Sequence, residues 1–83
     1  MSLEEIKKAK VVVAGTRQTK KALENGLALT VYVAEDADEK ITAPVVQLCR
    51  EKGVRVCYVD TMAEIGKACN IKVGAAVAAI IEK

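Results

Sequence analysis

Apolar residues recur along the chain at two spacings, and the changes between these spacings predict four helices and four strands. Continuous or alternating apolar runs indicate strands at 11–14, 29–34, 54–59 and 75–81. Apolar residues spaced for one helical face indicate helices at 3–9, 16–26, 42–52 and 62–69. The last strand, AAVAAII, is apolar at every position, which is typical of a strand covered on both faces.

Residues that start and stop helices agree with this division. Thr16 is placed to cap the second helix, which Gly26 closes. In the third helix, Pro44 falls in the predicted first turn and Gly53 follows the last turn. The segment TMAE at 61–64 has the spacing of a capping box. Strands that alternate with helices favour βαβ units with right-handed crossovers, so we expect an α/β fold arranged as a three-layer α/β/α sandwich.

The length of 83 residues indicates a single domain, residues 1–83. Apolar residues make up 52% of the chain, which argues against disorder. There is no Phe or Trp and there are only two Tyr, so the core must be built from Val, Ala, Ile and Leu. No apolar stretch approaches the roughly 18 residues of a membrane span, and the opening MSLEEIKKAK contains no apolar export segment. We therefore expect a cytoplasmic location and no membrane partner.

Charge is distributed unevenly, although the net value is only +2. That total is too small for binding to nucleic acid by bulk attraction. The segment 35–39, EDADE, holds four acids. Basic residues crowd the first quarter of the chain, at Lys7, Lys8, Lys10, Arg17, Lys20 and Lys21. A localised basic surface for an anionic partner and an ordinary solvated face both fit this distribution.

Few residues of this chain are suited to bind a metal ion or to act as a reactive thiol. The cysteines, Cys49, Cys57 and Cys69, form no CxxC pair, and there is no histidine to complete a zinc site. We expect all three to be small buried apolar residues. The acids of EDAD, with Asp60 after the next strand, fit either a magnesium site or the caps and dipole partners of helix starts.

The segment GTRQTKK, residues 15–21, is the strongest candidate for a binding site. It follows a buried strand and opens a helix, where free N–H groups and aligned peptide dipoles attract anions. Gln18 and Lys21 share a helical face and lie next to Arg17, so donors for phosphates and base edges occur together. The segment matches neither GxxxxGK[ST] nor GxGxxG. An ordinary capped amphipathic helix would give the same pattern.

A second unexplained segment is CNIKVGAA, residues 69–76. Ile71 and Val73 lie in a predicted loop rather than in a periodic element. They either pack back into the core or remain exposed as a small apolar contact.

Four segments together resemble the ribosomal protein L7Ae/L30e family of small RNA-binding proteins, and in particular its short bacterial members that bind kink-turn RNA. The similar segments are VVVAGTRQTKKALENG, VYVAEDAD, LCREKGVRVCYV and EIGKACNIKVGAAVAAI, which cover nearly the whole chain. The resemblance implies a three-layer α/β/α sandwich with a small mixed four-stranded sheet. It also implies an RNA-binding protein that is not an enzyme and that uses no cofactor or metal.

The resemblance also implies which residues bind RNA. The implied residues are Gly15, Thr16, Arg17, Gln18, Lys21, Asp38, Ile71, Lys72, Val73 and Gly74. In the family, the segment matching GTRQTKK contacts sheared G·A pairs beside a sharp bend in RNA. The resemblance implies that Gly15 and Thr16 let the backbone approach the RNA closely. It also implies that Arg17 and Gln18 contact guanine edges and that Lys21 binds phosphate or base.

The remaining implied residues surround a flipped-out nucleotide. In relatives, an acid at the position of Asp38 touches that nucleotide, and the loop matching 71–75 covers it. Archaeal and eukaryotic members usually have Asn-Glu at the positions of Arg17 and Gln18, whereas bacterial members commonly have a basic residue and Gln. Gly74 stands where many relatives have proline.

Kinked RNA is a physically suitable partner for such a chain. Regular A-form RNA hides its base edges in a deep, narrow groove, whereas a kink opens the groove and splays a base outward. Recognition of this shape needs no aromatic platform, in keeping with the absence of Phe and Trp. We expect structured RNA, such as ribosomal RNA or a riboswitch, rather than DNA. Two alternatives stay open: a nucleotide- or phosphate-binding domain, and a protein-interaction module of the ribosome.

Overall fold

The computed structural model describes residues 3–82, in which helices and strands alternate throughout. The elements in chain order are α1 Leu3–Lys8, β1 Val11–Ala14, α2 Thr16–Glu24, β2 Thr30–Ala34, α3 Glu39–Lys52, β3 Arg55–Val59, α4 Met62–Ala68 and β4 Val77–Glu82. Each predicted element is present, with small differences at the ends. Within this described part, no helix combines the length and apolar character that crossing a membrane requires.

The strands form one mixed sheet in the order β1-β4-β2-β3. β2 and β3 are parallel, whereas β4 is antiparallel to both of its neighbours, β1 and β2. β1, β2 and β3 therefore run in one direction, and β4 runs in the other. As a result, the start of β4 lies at the same end of the sheet as the carboxyl ends of the other three strands.

Helices cover both faces of the sheet, which confirms the three-layer α/β/α sandwich. On one face, α1 and α4 pack on the sheet through a cluster that includes Ile6, Ile65, Tyr32, Ala78 and Ile80. On the other face, α2 and α3 pack through a cluster that includes Leu23, Val45, Val31, Val33 and Ala79. Burial of each Leu, Ile or Val side chain in these clusters contributes about 1.5–3 kcal/mol before the entropy of ordering the chain is subtracted.

β4 is a central strand, as its composition predicted. Val77, Ala78, Ala79 and Ile80 are all buried, and they alternate between the two clusters. The small alanine side chains let helices approach both faces of this strand. The strand begins at Val77 rather than at the predicted position 75.

The start of α3 differs from the prediction. α3 begins at Glu39, with Asp38 as its N-cap, whereas Pro44 was expected in the first turn of a helix beginning at 42. The Asp38 carboxylate accepts a hydrogen bond from Lys40 N–H (3.0 Å), and this cap fixes the start upstream of the proline. Pro44 thus lies inside the helix and removes the N–H that would bond the Lys40 carbonyl. Pro44 and Lys40 are both exposed residues.

The cysteines are less uniformly buried than expected. Cys49 is buried in the α2–α3 face, but Cys57 and Cys69 are only half-buried. Burial raises the pKa of the Cys49 and Cys69 thiols, so both favour the protonated form. A protonated thiol is a poor nucleophile.

Candidate functional site

Four segments of the chain meet at one end of the sheet. We call this end the loop end and define it as residues 15–18, 35–38, 60–62 and 70–76. Backbone hydrogen bonds hold these segments in place. Ala75 N–H donates to the Met62 carbonyl at 3.1 Å and so joins two of them. Next to the segments, Gly15 N–H donates to the Val77 carbonyl and Ala34 N–H to the Ala76 carbonyl, each at 2.9 Å. The segments that the sequence singled out as chemically suggestive are therefore neighbours in space.

The start of α2 is shaped by a glycine in an unusual conformation. Gly15 has φ 98° and ψ 155°, a region of backbone space that is essentially closed to residues with a Cβ. Gly15, and not Thr16, is the N-cap, and no side chain caps the helix. The prediction that Thr16 caps α2 is therefore wrong. Thr16 already has helical geometry, because Gly15 completes the change of direction from β1.

The first turn of α2 is open to an anion. Thr19 N–H makes the first helical bond, to the Gly15 carbonyl at 3.0 Å, so the N–H groups of residues 16–18 precede the helical ladder. No acidic residue lies in this first turn. By contrast, α1, α3 and α4 each have an acid in the first turn. The positive end of the α2 dipole is thus left without an internal negative partner.

Side chains around this helix start point away from the core. Arg17, Gln18 and Lys21 are exposed, whereas Thr19 on the opposite side of the helix is completely buried. Within residues 3–82, no hydrogen bond or ion pair engages the side chains of Arg17, Gln18 or Lys21. These three donor groups are therefore free to bind a ligand.

The loop before β4 presents apolar side chains to solvent. Val73 is 71% exposed and Ile71 is 40% exposed, so neither packs back into the core. Lys72 and Gly74, between and beside them, are exposed as well. Of the two alternatives that the sequence left open, the structure shows the exposed apolar contact.

A glycine of α4 holds this loop close to the helix. Gly66 is buried, and a Cβ placed on it would lie 2.2 Å from the Val73 carbonyl oxygen. The Gly66 carbonyl also accepts a hydrogen bond from Ile71 N–H at 3.0 Å. Sequence reasoning missed this residue, because a glycine in a helix is ordinarily a weak point rather than a packing site.

Asp38 lies at the loop end but already has a structural role. Its carboxylate is exposed and accepts the hydrogen bond from Lys40 N–H that caps α3. A carboxylate has further acceptor positions, so capping leaves part of Asp38 available to a ligand.

Charge divides the loop end into two halves. The half formed around β1 and β4 carries Arg17 and Lys72, and Lys21 lies one turn further along α2. The half after β2 and β3 carries Glu35, Asp36, Asp38 and Asp60. The strand order β1-β4-β2-β3 produces this division, because it places like-charged loops side by side. A polyanion would be attracted to the first half and repelled by the second.

The basic residues of the first quarter do not form one surface. Lys7 and Lys8 lie in the last turn of α1, and Lys10 immediately precedes β1. These three lysines therefore lie towards the end of the sheet opposite Arg17 and Lys21. Only part of the basic run in the sequence contributes to the candidate site.

The acidic half does not form a metal site. Within residues 3–82, no group of three or more Cys, Asp or Glu side chains is arranged to hold a metal ion. Asp36 and Asp38 instead accept hydrogen bonds from backbone N–H groups, at 2.9 and 3.0 Å. Of the two alternatives for the acids, the structure shows helix-start partners.

An open groove of about 490 Å³ lies between α3 and the edge strand β3. Its wall includes Glu35, Glu39, Arg50 and the half-exposed Tyr58. None of the residues predicted to bind RNA lines this groove. The groove is therefore separate from the open start of α2.

Comparison with known proteins assigns the chain to a family. The model of the ribosomal protein L7Ae/L30e/S12e/Gadd45 family matches residues 2–83. The chain belongs to this family. The family consists of ribosomal-protein-like RNA-binding proteins rather than enzymes, which agrees with the prediction that the chain is not an enzyme.

Individual relatives carry names consistent with this family. The chain is 51% identical over 81 residues to an RNA-binding protein of a Geobacillus species, covering 98% of this chain and 99% of the relative. It is 43% identical over 82 residues to the large ribosomal subunit protein eL8 of Haloquadratum walsbyi, covering 98% and 68% of the two chains. Its fold is similar to the Giardia lamblia 15.5 kD RNA-binding protein, with a TM-score of 0.85 at 27% identity, covering 98% of this chain and 68% of that one.

Proposed function

We propose that the chain binds structured RNA and stabilises a kink-turn through the start of α2, Asp38 and the loop 71–74. The observation that carries this proposal is the first turn of α2. Among the four helices of residues 3–82, it alone begins without an acid, and it presents Arg17 and Gln18 instead. Such a start leaves N–H groups and the positive dipole end available to phosphate or to base acceptors.

Each side chain at the start of α2 suits a different chemical group of the RNA. The Arg17 guanidinium can bond the O6 and N7 acceptors of guanine in a bidentate manner. The Gln18 amide has both donors and acceptors, as a sheared G·A pair requires. Lys21, one turn further along, supplies a point charge for phosphate. Gly15 and Thr16 are half-buried residues with no side chain or a small one. RNA can therefore approach their backbone closely.

The apolar loop provides a cover for an unstacked base. Ile71 and Val73 are exposed on a loop that leads directly into β4, beside the loop that follows β1. A base splayed from a kink loses its stacking partners, and apolar contact replaces part of that interaction. Asp38, across the loop end, can accept hydrogen bonds from such a base while it caps α3.

Recognition by stacking on aromatic residues is unsuited to this site. Tyr32 is completely buried in the core, and the half-exposed Tyr58 lies on β3, in the wall of the separate groove. Modules that bind flat single-stranded bases rely on exposed aromatic platforms. A donor-rich helix start next to an apolar loop suits a bent RNA better than an extended single strand.

Comparing two RNAs tests the proposal. One hairpin carries a kink-turn with tandem sheared G·A pairs, and the second replaces these by Watson–Crick pairs. We expect the kink-turn to bind at least about tenfold more tightly at matched salt, because only it exposes the bases and the bend. Equal affinities would show that the chain binds RNA by charge alone or not at all, and the kink-turn proposal would fail.

A further inference from the structure

Met62, the first residue of α4, connects two loops of the loop end. Its N–H donates to Asp36 Oδ1 at 2.9 Å, across 26 positions of sequence. This N–H is one of those that the helix itself leaves unpaired. Thr61, the N-cap of α4, bonds a different one, the N–H of Glu64, at 3.1 Å. Asp36 therefore acts as a second cap that ties the loop after β2 to the start of α4.

The same residue holds the apolar loop. The Met62 carbonyl accepts a hydrogen bond from Ala75 N–H at 3.1 Å. Gly74 packs against Met62 so closely that an added Cβ would lie 3.1 Å from the Met62 Cβ. Movement of the Met62 backbone would therefore move residues 74 and 75, and with them the exposed Val73.

We propose that Asp36 is a positioning residue for RNA recognition, acting through the Met62 backbone on the loop that carries Ile71 and Val73. This inference rests on the proposed function, since it concerns how the same site is kept in shape. Three contacts in series carry it: Asp36 to Met62 N–H, Met62 carbonyl to Ala75 N–H, and Met62 to Gly74. Asp36 need not touch RNA in this arrangement.

The useful property of Asp36 is its acceptor oxygen rather than its charge. Asp36 is exposed in the acidic half of the loop end, where a negative charge repels a nearby phosphate. An amide oxygen can accept the Met62 N–H bond without that charge. The change Asp36→Asn should therefore preserve the connection, whereas Asp36→Ala should break it.

Binding of a labelled kink-turn hairpin to the whole chain tests whether Asp36→Asn preserves the connection and Asp36→Ala breaks it. We expect Asp36→Ala to weaken binding about fivefold to tenfold, the size of one lost hydrogen bond. Asp36→Asn should bind within about twofold of the original chain, or more tightly as a phosphate-repelling charge is removed. The matched control is Asp60→Ala, which removes an exposed acid at the same end without a hydrogen-bond partner among the described residues, and it should not weaken binding.

Amide hydrogen exchange supplies a second readout, and comparing the two neutral variants separates the hydrogen bond from the charge. Exchange at the Met62 N–H should accelerate in Asp36→Ala and remain slow in Asp36→Asn. Should Asp36→Ala fail to fold, Asp36→Glu replaces it. Glu keeps the charge but moves the oxygens, so it should bind RNA more weakly than Asp36→Asn does.

Several results would overturn the role of Asp36. These are unchanged affinity in Asp36→Ala, equal weakening in Asp36→Asn and Asp36→Ala, or weakening without faster exchange at Met62. All of them require that the original chain prefers the kink-turn hairpin. If the original chain binds the Watson–Crick control equally well, the proposed function fails first, so the two failures are distinguishable.

Discussion

α2 and α3 begin at the same end of the sheet, yet their first turns are built in opposite ways. α3 is capped by the Asp38 carboxylate and has Glu39 in its first turn. α2 is capped by Gly15, which has no side chain, and continues with Thr16 and Arg17. α3 thus provides an acceptor for one of its free N–H groups and acids for its dipole, whereas α2 leaves both to an external partner. The comparison shows that the residues around an N-cap decide whether a helix start is structural or available for binding.

The largest expected effect comes from giving α2 the acidic first turn of α3. Arg17→Glu should weaken kink-turn binding by more than about 100-fold, because it removes a base contact and places a carboxylate near the RNA. The same change should raise the free energy of unfolding by about 0.3–1 kcal/mol, because an acid favours a helix N-terminus. Anisotropy titrations and urea denaturation measure the two quantities on one sample.

A charge reversal at the far end of the sheet is the control for Arg17→Glu. Lys10→Glu changes the net charge equally, but Lys10 precedes β1 and lies away from the loop end. Its effect on binding should stay within about threefold, owing to screening over that distance. Equal losses of RNA affinity in both variants would mean that binding depends on the overall charge and not on the start of α2.

The next largest effect is expected on stability, at two glycines: Gly15, the N-cap of α2, and Gly53, the C-cap of α3. Gly15 has φ 98° and ψ 155°, whereas Gly53, at the end of α3, has φ 69° and ψ 29°. Asparagine tolerates the left-handed conformation of Gly53 but not that of Gly15. Neither position has an atom within 4 Å of an added Cβ, so backbone strain alone separates them.

We therefore expect Gly15→Asn to lower the free energy of unfolding by about 1–3 kcal/mol and Gly53→Asn by less than about 1 kcal/mol. Gly15→Asn should also weaken RNA binding, because it disturbs the path from β1 into α2. Chemical denaturation of the pair measures the difference. Similar losses at both glycines would show that the Gly15 backbone is not under special constraint.

A smaller effect is expected at the cap of α3. Asp38→Ala removes the acceptor for Lys40 N–H and should cost about 1 kcal/mol of stability, whereas Asp38→Ser should cost only a few tenths. Thermal unfolding measures both. If Asp38→Ser restores stability but not RNA affinity, Asp38 also contacts RNA. If neither variant changes stability, the cap has no energetic role.

The smallest effect concerns a buried hydroxyl in α2. Thr19 is completely buried, and its Oγ1 has no hydrogen-bond partner among the described residues. Thr19→Val keeps the shape and removes the unsatisfied group, so it should raise the free energy of unfolding by up to about 1 kcal/mol. RNA affinity should not change, because Thr19 lies opposite the exposed donors. A loss of stability would show that the hydroxyl is satisfied in solution.

Much of the fold could be predicted from local pattern. Helix and strand spacing located each element, and the uniformly apolar run 75–81 indicated the central strand that β4 proved to be. Alternation of helices and strands favours parallel βαβ units, but β4 is antiparallel to both neighbours. Spacing along the chain does not encode strand direction, which depends on tertiary packing. The mixed sheet was implied by the family resemblance alone.

The site could be predicted less completely, for identifiable reasons. Thr16 was expected to cap α2 because a hydroxyl is a common N-cap, but the conformation of Gly15 moved the cap back by one residue. The start of α3 was missed because Pro44 is a stronger local signal than the more distant Asp38. The Asp36–Met62 bond spans 26 positions, so no local pattern reveals it. Exposure of Ile71 and Val73 likewise depends on how the loop packs against Gly66.

Backbone amide NMR during titration with the kink-turn hairpin reports, residue by residue, whether the uncapped start of α2 receives the RNA. We expect the largest shifts at the amides of Thr16, Arg17 and Gln18 and in the segment 71–74. Amides at the capped start of α3, such as that of Lys40, should move less. Large shifts along the groove between α3 and β3, with the first turn of α2 unchanged, would contradict this expectation.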